Sequence, residues 1–236
     1  MEKSIFNIRT EDEYLFYKNE IDINELDDTG SNALFYSDYG KDYGKTEWLL
    51  KNGINFNVVN KAKQNALFFC NYEKAKLLIE HGIEVNQVDV NGESPLFRAV
   101  ASSNTDTCQL LIDSKADIHK INNQGENVVF YASLKALRLL LNLGININQI
   151  DQNGNNALIS LDTGMYDCLK IAKCLVGAGI NFEIFERDPS KLDWIDSCSV
   201  REHVVQCISK KENKHINKII KKKKFSCEDV EKRKRL

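Results

Sequence analysis

The sequence predicts an all-α solenoid, in which stacked helix–turn–helix units are joined by short hairpin-like turns. Two recurring segments support this prediction. The first follows the pattern Gly-x-Asn-Ala-Leu-Phe with some variation, and its five copies begin at residues 30, 63, 92, 125 and 154. The second contains a pair of large aliphatic residues, usually leucines, and in most copies a closing glycine. Self-similarity at this period is typical of stacked repeats, since a unit of this size cannot bury its apolar face alone.

Each copy opens with a turn that leads into a capped helix. The first turn is Asp27-Asp28-Thr29-Gly30, in which the Asp starts the turn and the Gly tolerates positive φ. A side-chain oxygen two residues later can cap the first helix, and these capping residues are Asn32, Asn65, Ser94, Asn127 and Asn156. The second helix is expected to end near a left-handed glycine, namely Gly53, Gly82, Gly144 or Gly179. Lys115 replaces this glycine in the third copy, where we expect a small loss of stability.

The spacing of the copies alternates between two values. The predicted capping residues at 32, 65, 94, 127 and 156 are separated by 33, 29, 33 and 29 residues. The turn keeps its length, so the difference must lie at the end of the first helix or in the loop between the helices. The second and fourth copies are therefore predicted to have a first helix about one turn shorter than the others.

These turn–helix–helix units resemble the ankyrin repeat. The copy most similar to that family is Asp89-Val90-Asn91-Gly92-Glu93-Ser94-Pro95-Leu96-Phe97-Arg98-Ala99, and the resemblance covers roughly residues 21–184. One departure is systematic, because the Thr-Pro of the family is mostly Asn-Ala here and its His is replaced by Phe or Ile. We expect asparagine caps and apolar packing to replace part of the hydrogen bonding between repeats.

The resemblance implies a domain organisation. Residues 1–24 are expected to form an N-terminal half-repeat, and residues 25–185 to hold the five repeats. Residues 186–209 are expected to form a degenerate C-terminal cap, and residues 210–236 a basic tail. The expected repeats are 25–57, 58–86, 87–119, 120–148 and 149–183.

The sequence contains no constellation that would support catalysis. A Gly-rich phosphate loop, a His-Glu-x-x-His motif and a nucleophile elbow are all missing, so we expect no enzyme activity and no cofactor. His203 and Cys207, with Cys198 upstream, could hold part of a metal site, but we favour a cap helix that packs Cys207 inward, and predict no metal.

Seven cysteines without a Cys-x-x-Cys pair favour a reducing compartment. With no long apolar run and no signal-peptide core, we expect a cytoplasmic protein without a membrane contact.

The family resemblance also implies where a partner would bind. Ankyrin-like repeats usually contact partners through the tips of their turns and the exposed side of the first helix. A ladder of large side chains is expected on that side, formed by Tyr36, Phe69, Arg98 and Tyr131, with Tyr39, Tyr43 and Tyr72 nearby. The tip residues expected to contribute are Asp28, Asn91, Glu93, Gln124, Glu126 and Asn153. The alternative is that some of the aromatic rings pack between helices.

Charge is unevenly distributed and suggests the chemistry of the partner. Residues 210–236 hold 12 basic and four acidic residues, whereas residues 1–209 hold 20 basic and 30 acidic residues, so the two parts carry +8 and −10. The acidic body predicts a basic protein partner and makes nucleic-acid binding through the tail improbable, since phosphate would be repelled. The tail is interpreted as a solvated helix end.

Two hypotheses follow for the function, both for a chain that is monomeric alone. In the first, the chain is an immunity or inhibitor protein that binds a toxin stoichiometrically, since compact bacterial ankyrin-like proteins of this size are similar to such inhibitors. In the alternative, it is a bacterial effector or a viral host-range protein that binds a eukaryotic host protein.

Overall fold

A computed structural model describes residues 4–37, 44–161, 167–195 and 198–210. The chain divides into two compact units, Met1–Asn123 and Gln124–Leu236. Within the described residues, helices and turns make up the regular structure, together with one isolated antiparallel bridge between Ile150 and Asn156. The all-α fold predicted from the sequence is confirmed. Residues 211–236 of the predicted basic tail lie outside the described residues.

The first unit is built from pairs of helices that follow one another along the chain. The α-helices are α1 (Glu11–Tyr17), α2 (Ala33–Tyr36), α3 (Lys45–Lys51), α4 (Tyr72–Glu80), α5 (Pro95–Ala101) and α6 (Thr105–Asp113). Two 3₁₀ turns, Ile5–Asn7 and Ala66–Phe69, complete the described part of this unit. The second helices pack in sequence, α1 against α3, α3 against α4, and α4 against α6.

The N-terminal segment packs as the second half of a repeat. Thr10 begins α1 by accepting a hydrogen bond from the backbone N–H of Glu13 at 3.2 Å, and the Glu13 carboxylate accepts one from the N–H of Arg9 at 3.0 Å. Tyr14 of α1 stacks on Trp48 of α3 with ring centroids 5.5 Å apart. Helix α1 thus packs on the second helix of the first complete copy, and the half-repeat in residues 1–24 stays a prediction.

The second unit continues the same pattern and ends in a different one. The elements are a 3₁₀ turn at Val128–Tyr131, α7 (Leu134–Asn142), α8 (Cys168–Gly177), α9 (Glu183–Arg187), a 3₁₀ helix at Pro189–Trp194 and α10 (Cys198–Lys210). Helix α7 packs against α8, and α8 packs against α10. Helix α10 buries Val200, Val204 and Ile208, whereas Val205 is only half-buried. Val205 lies beside the buried face rather than on it, because adjacent residues point about 100° apart around a helix.

The predicted alternation in helix length is confirmed for the second, third and fourth copies but was wrong for the first, whose first helix α2 (Ala33–Tyr36) also spans only four residues. The first helical element of the second copy is the single 3₁₀ turn Ala66–Phe69, and that of the fourth is Val128–Tyr131, whereas α5 of the third copy spans seven residues. In the fifth copy, residues 157–160 form turns and a bend, so the short helix expected there is not found in residues 156–161. The remaining first-helix residues of that copy, 162–166, are outside the described part of the chain.

An asparagine at the start of four copies holds both ends of the copy together. Its side-chain oxygen accepts the N–H two residues later in three copies, at 3.2, 3.2 and 3.1 Å for Asn32, Asn65 and Asn127. This is the predicted cap. Its side-chain nitrogen also donates to a carbonyl just after the second helix of the same copy, which the sequence analysis did not predict. These second bonds are Asn32 to Asn55 at 2.8 Å, Asn65 to Glu84 at 2.7 Å, Asn127 to Asn146 at 2.7 Å and Asn156 to Asn181 at 3.1 Å.

The third copy lacks this bridge. Ser94 is buried, but its hydroxyl makes no hydrogen bond within the described structure, so the predicted cap at Ser94 was wrong. A serine side chain is one amide group shorter than asparagine and cannot span the same gap. Pro95 begins α5 at the position where a missing N–H costs least.

The turns of neighbouring copies are joined through the backbone. In the first unit, Lys61 N–H donates to the Thr29 carbonyl at 2.8 Å and Val90 N–H to the Ala62 carbonyl at 3.0 Å. The next bond of the series runs from the Asn123 N–H to the Asn91 carbonyl at 2.8 Å. Asn123 lies so close to Gly92 that a Cβ on Gly92 would be 2.7 Å from the Asn123 side-chain oxygen. The hairpin tips of this unit therefore form a fixed row.

Replacing Asn65 by Ala should destabilise the chain by about 2–3 kcal/mol, because the N–H of Leu67 and the carbonyl of Glu84 both lose a buried partner. Ser94→Ala is the matched control and should change the free energy of unfolding by less than about 0.5 kcal/mol, since the Ser94 hydroxyl has no bond to lose. Denaturant unfolding followed by circular dichroism measures both. Equal losses in the two variants would contradict the asparagine bridge.

Lys115→Gly should stabilise the chain by about 0.5–1 kcal/mol, because Lys115 is held at φ 71°, a left-handed conformation that favours glycine. Lys76→Gly, in the interior of α4, should instead cost about 1 kcal/mol. Thermal unfolding of the two variants should therefore shift in opposite directions, and a shared direction would show that backbone strain at Lys115 is negligible.

Candidate protein-binding surface

Three of the predicted ladder residues occupy equivalent positions in consecutive copies of the first unit. Tyr36 is 48% exposed and Arg98 is exposed, whereas Phe69 is half-buried. The Phe69 ring packs on Phe35 of the preceding copy, with centroids 5.7 Å apart. Tyr36 and Arg98 are thus available at the surface, and Phe69 serves in part as packing between copies, as the alternative interpretation of the sequence expected.

Tyr36 is oriented by a carboxylate of its own turn. Its hydroxyl donates to Asp27 at 2.5 Å, and its ring meets Phe6 edge-on with centroids 5.9 Å apart. Partial desolvation raises the pKa of Asp27, but hydrogen bonds from the hydroxyls of Thr29 and Tyr36 and from the N–H groups of Ser31 and Thr29 outweigh it and lower the pKa to about 2. Asp27 is therefore ionised at neutral pH, and Tyr36 presents a ring of fixed orientation.

The hairpin tips of the first unit differ in what they offer to a partner. The side chains of Asp28 and Asn91 are exposed, while the Asp28 carbonyl accepts a bond from the Lys61 ammonium at 2.6 Å. Glu93 is half-buried, and its carboxylate lies 3.5 Å from the Asn122 side-chain nitrogen that donates to it. Glu93 thus contributes to the contact between turns as well as to the surface.

In the second unit, the predicted residues Tyr131, Glu126 and Asn153 already make hydrogen bonds. Tyr131 is half-buried, and its hydroxyl donates to the Glu126 carboxylate. Gln124 is exposed. Asn153 is exposed too, but its carbonyl accepts a bond of 2.7 Å from the Lys191 ammonium, which also donates to the Asn155 side chain at 2.7 Å. The turn of the fifth copy is therefore held by the Pro189–Trp194 segment.

Of the three remaining predicted residues, Tyr72 lies in the described part of the chain, at the edge of a groove. Tyr72 is the first residue of α4 and lies with Glu73, Asp106 and Asp113 on a groove between α4 and α6. Tyr39 and Tyr43 lie outside the described residues.

A row of aliphatic residues at the base of the turns was missed by the sequence analysis. Each stands directly before the Asp or Asn that starts a turn. Leu26, Val59 and Ile121 of the first unit, and Ile150 of the second, are each about half exposed. The signal was present in the sequence, since an aliphatic residue recurs at this position in all five copies. Solvent-facing aliphatic side chains at equivalent positions enlarge the apolar area that a partner could cover.

Comparison with known proteins identifies the repeats. A family model described as ankyrin repeats, in three copies, matches residues 38–122. Residues 38–122 therefore contain ankyrin repeats. The chain is 35% identical over 107 residues to an ankyrin repeat protein of Acanthamoeba polyphaga mimivirus, a match that covers 45% of this chain and 33% of that relative. The chain thus spans about a third of the length of the relative it matches. The predicted family is confirmed, and ankyrin repeats indicate a protein–protein interaction module.

Among the described residues, no group of three or more His, Cys, Asp or Glu side chains is placed to hold a metal ion. The Cys207 sulfur lies 3.7 Å from His203 Nε2. Burial raises the pKa of the Cys108 thiol to about 12, so this thiol remains protonated. None of the helices in the described ranges is both long and apolar enough to cross a bilayer.

Stability of the first unit should depend on the ionisation of Asp27. Because its pKa falls from 3.8 to about 2 on folding, the contribution of Asp27 is fully present above about pH 4 and is lost as the pH falls towards 2. Tyr36→Phe removes one of the hydrogen bonds and should move the pKa of Asp27 upward, as measured by carbon NMR of the carboxyl group.

Asp27→Asn should flatten the acid limb of the stability curve between about pH 4 and pH 2. Asp28→Asn is the control, because the Asp28 side chain accepts none of these hydrogen bonds. An unchanged acid limb in Asp27→Asn would contradict the assignment.

Proposed function

We propose that this chain is a non-enzymatic module that binds one partner protein stoichiometrically through the first unit. The binding face comprises Tyr36, Phe69 and Arg98, together with the tips at Asp28 and Asn91. The observation that supports this face most directly is the presence of an exposed Tyr and an exposed Arg at equivalent positions of copies whose turns are fixed by backbone hydrogen bonds. Tyr and Arg are the residue types that most often anchor interfaces, and a fixed surface loses little entropy on binding.

The charge of the chain supports a basic partner. Residues 1–209 carry a net charge of −10, which would speed the approach of a basic protein and weaken its binding as salt is added. A net negative charge fits a toxin inhibitor that covers the basic cleft of a nuclease-like toxin. It fits equally a chain that binds a basic protein of a host cell.

The mimivirus relative favours the second of these partners. That relative is itself described as an ankyrin repeat protein, and a viral protein of this class would act on proteins of the infected cell. We therefore propose a eukaryotic host protein as the partner, with an immunity-type inhibitor as the second candidate. The five cysteines whose side chains are described are free thiols, which supports a reducing location such as the cytoplasm.

Capture of the partner from lysates tests both the face and the partner. Tagged protein should retain a stoichiometric partner from an Acanthamoeba lysate, and Arg98→Glu or Tyr36→Ala should each weaken retention at least about tenfold. Lys76→Glu, on an exposed position of α4, is the matched control and should retain the partner within about twofold. Retention from a bacterial lysate alone would favour the inhibitor, and equal retention by Arg98→Glu would exclude the proposed face.

A further inference from the structure

The shortened second copy leaves a cleft in the first unit. The chain passes from Phe69 through Cys70 directly to Asn71, which caps α4, whereas α5 of the next copy continues to Ala101. The cleft has a volume of about 380 Å³ and lies between this short connection and the helices α5 and α6. Its volume exceeds that of a single large side chain, so a side chain of a bound protein could enter it.

A buried hydroxyl lines this cleft without a partner. Thr107 of α6 is 2% exposed, and its Oγ1 makes no hydrogen bond within the described structure. Buried polar groups are nearly always hydrogen-bonded, because leaving one unpaired costs free energy. An acceptor atom that enters the cleft would supply the missing bond.

The charges around the cleft are positive. Arg98 lines it, is exposed, and makes no side-chain hydrogen bond or ion pair to a described residue. Lys74 also lines it, with its ammonium donating to the carbonyls of Phe35 at 3.4 Å and Ser37 at 3.1 Å. None of the described residues that line the cleft is acidic. This local charge is opposite to the net charge of −10 over residues 1–209.

We propose that this cleft binds the side-chain carboxylate of a glutamate or aspartate of the partner protein. The Arg98 guanidinium pairs with the carboxylate, which its planar donors fit, and the Thr107 hydroxyl donates to the same group. The ring of Phe69 and Pro95 supply apolar walls for the aliphatic stem. The assignment of this carboxylate to a partner protein rests on the proposed function. One acidic side chain would then fix the register of a partner that the remaining surface attracts by its basic charge.

Two capped peptides test the site without the partner. Acetyl-Ala-Glu-Phe-Ala-amide, titrated into the full chain, should shift the NMR signals of the Thr107 methyl group and the Arg98 Nε–H saturably. The neutral twin acetyl-Ala-Gln-Phe-Ala-amide should bind at least about tenfold more weakly, because it lacks the charge. Neither peptide carries a terminal carboxylate, so the side chain is the only source of that group.

Three variants assign the roles. Arg98→Met should weaken binding of the Glu peptide about tenfold or more, whereas Lys76→Met, at an exposed position of α4, should leave it within about twofold. Thr107→Val should weaken binding about threefold to tenfold while leaving the unfolding midpoint unchanged or raised, since the hydroxyl has no bond to lose. A merely structural Thr107 would show the opposite, with lower stability and unchanged binding.

The outcomes separate this proposal from the proposed function. Equal shifts with the Glu and Gln peptides would show that binding does not need the charge, and no shift with either would show that the cleft binds neither side chain; both results would overturn the carboxylate site. A third peptide has the Gln sequence and a free C-terminal carboxylate. If this peptide alone binds, the cleft takes a terminal carboxylate, and the assignment to a side-chain carboxylate is overturned. Binding of the Glu peptide without a protein partner in any lysate would support the site and contradict the proposed function. Capture of a partner protein without binding of the Glu peptide would support the proposed function and contradict the carboxylate site.

Discussion

The side-chain amide of one asparagine in each of four copies is the interaction on which the repeats depend. An amide has an acceptor and donors on the same group, so it can cap the first helical element and hold the carbonyl that closes the second helix. A Thr or Ser hydroxyl at this position is shorter, and the unpaired Ser94 hydroxyl shows the consequence. These asparagines are buried, and each ties the start of its copy to the segment that follows its second helix.

The first helical element varies in length from copy to copy without disturbing the packing of the second helices. The single 3₁₀ turn at Ala66–Phe69 and the seven-residue α5 both start from the same turn geometry and lead to second helices that pack in order. The shortening therefore changes the surface rather than the core. In the first unit it exposes Arg98 beside a cleft, and so a length difference in the sequence becomes a local binding feature.

The caps at Asn32, Asn65 and Asn127 and the short first helical elements of the second and fourth copies could be predicted from the sequence, because each follows from local spacing and local chemistry. The bridge from Asn65 to Glu84 could not, since it joins residues 19 apart whose approach depends on how the two helices pack. The candidate site was predicted only in part for the same reason. Position in the repeat located Tyr36 and Arg98 correctly at the surface, but the hydrogen bonds that engage Tyr131 and the Asn153 carbonyl involve specific neighbours, which a repeat pattern does not specify.

Hydrogen exchange of the asparagine side-chain amides tests the bridging role most directly. The Nδ2 protons of Asn32, Asn65, Asn127 and Asn156 should exchange at least about 100-fold more slowly than those of Asn91, whose side chain is exposed at a hairpin tip. Protection of all four, lost together with global unfolding, is the result that the account predicts. Exchange at the rate of Asn91 would show that the bridges are not formed in solution and would contradict the account.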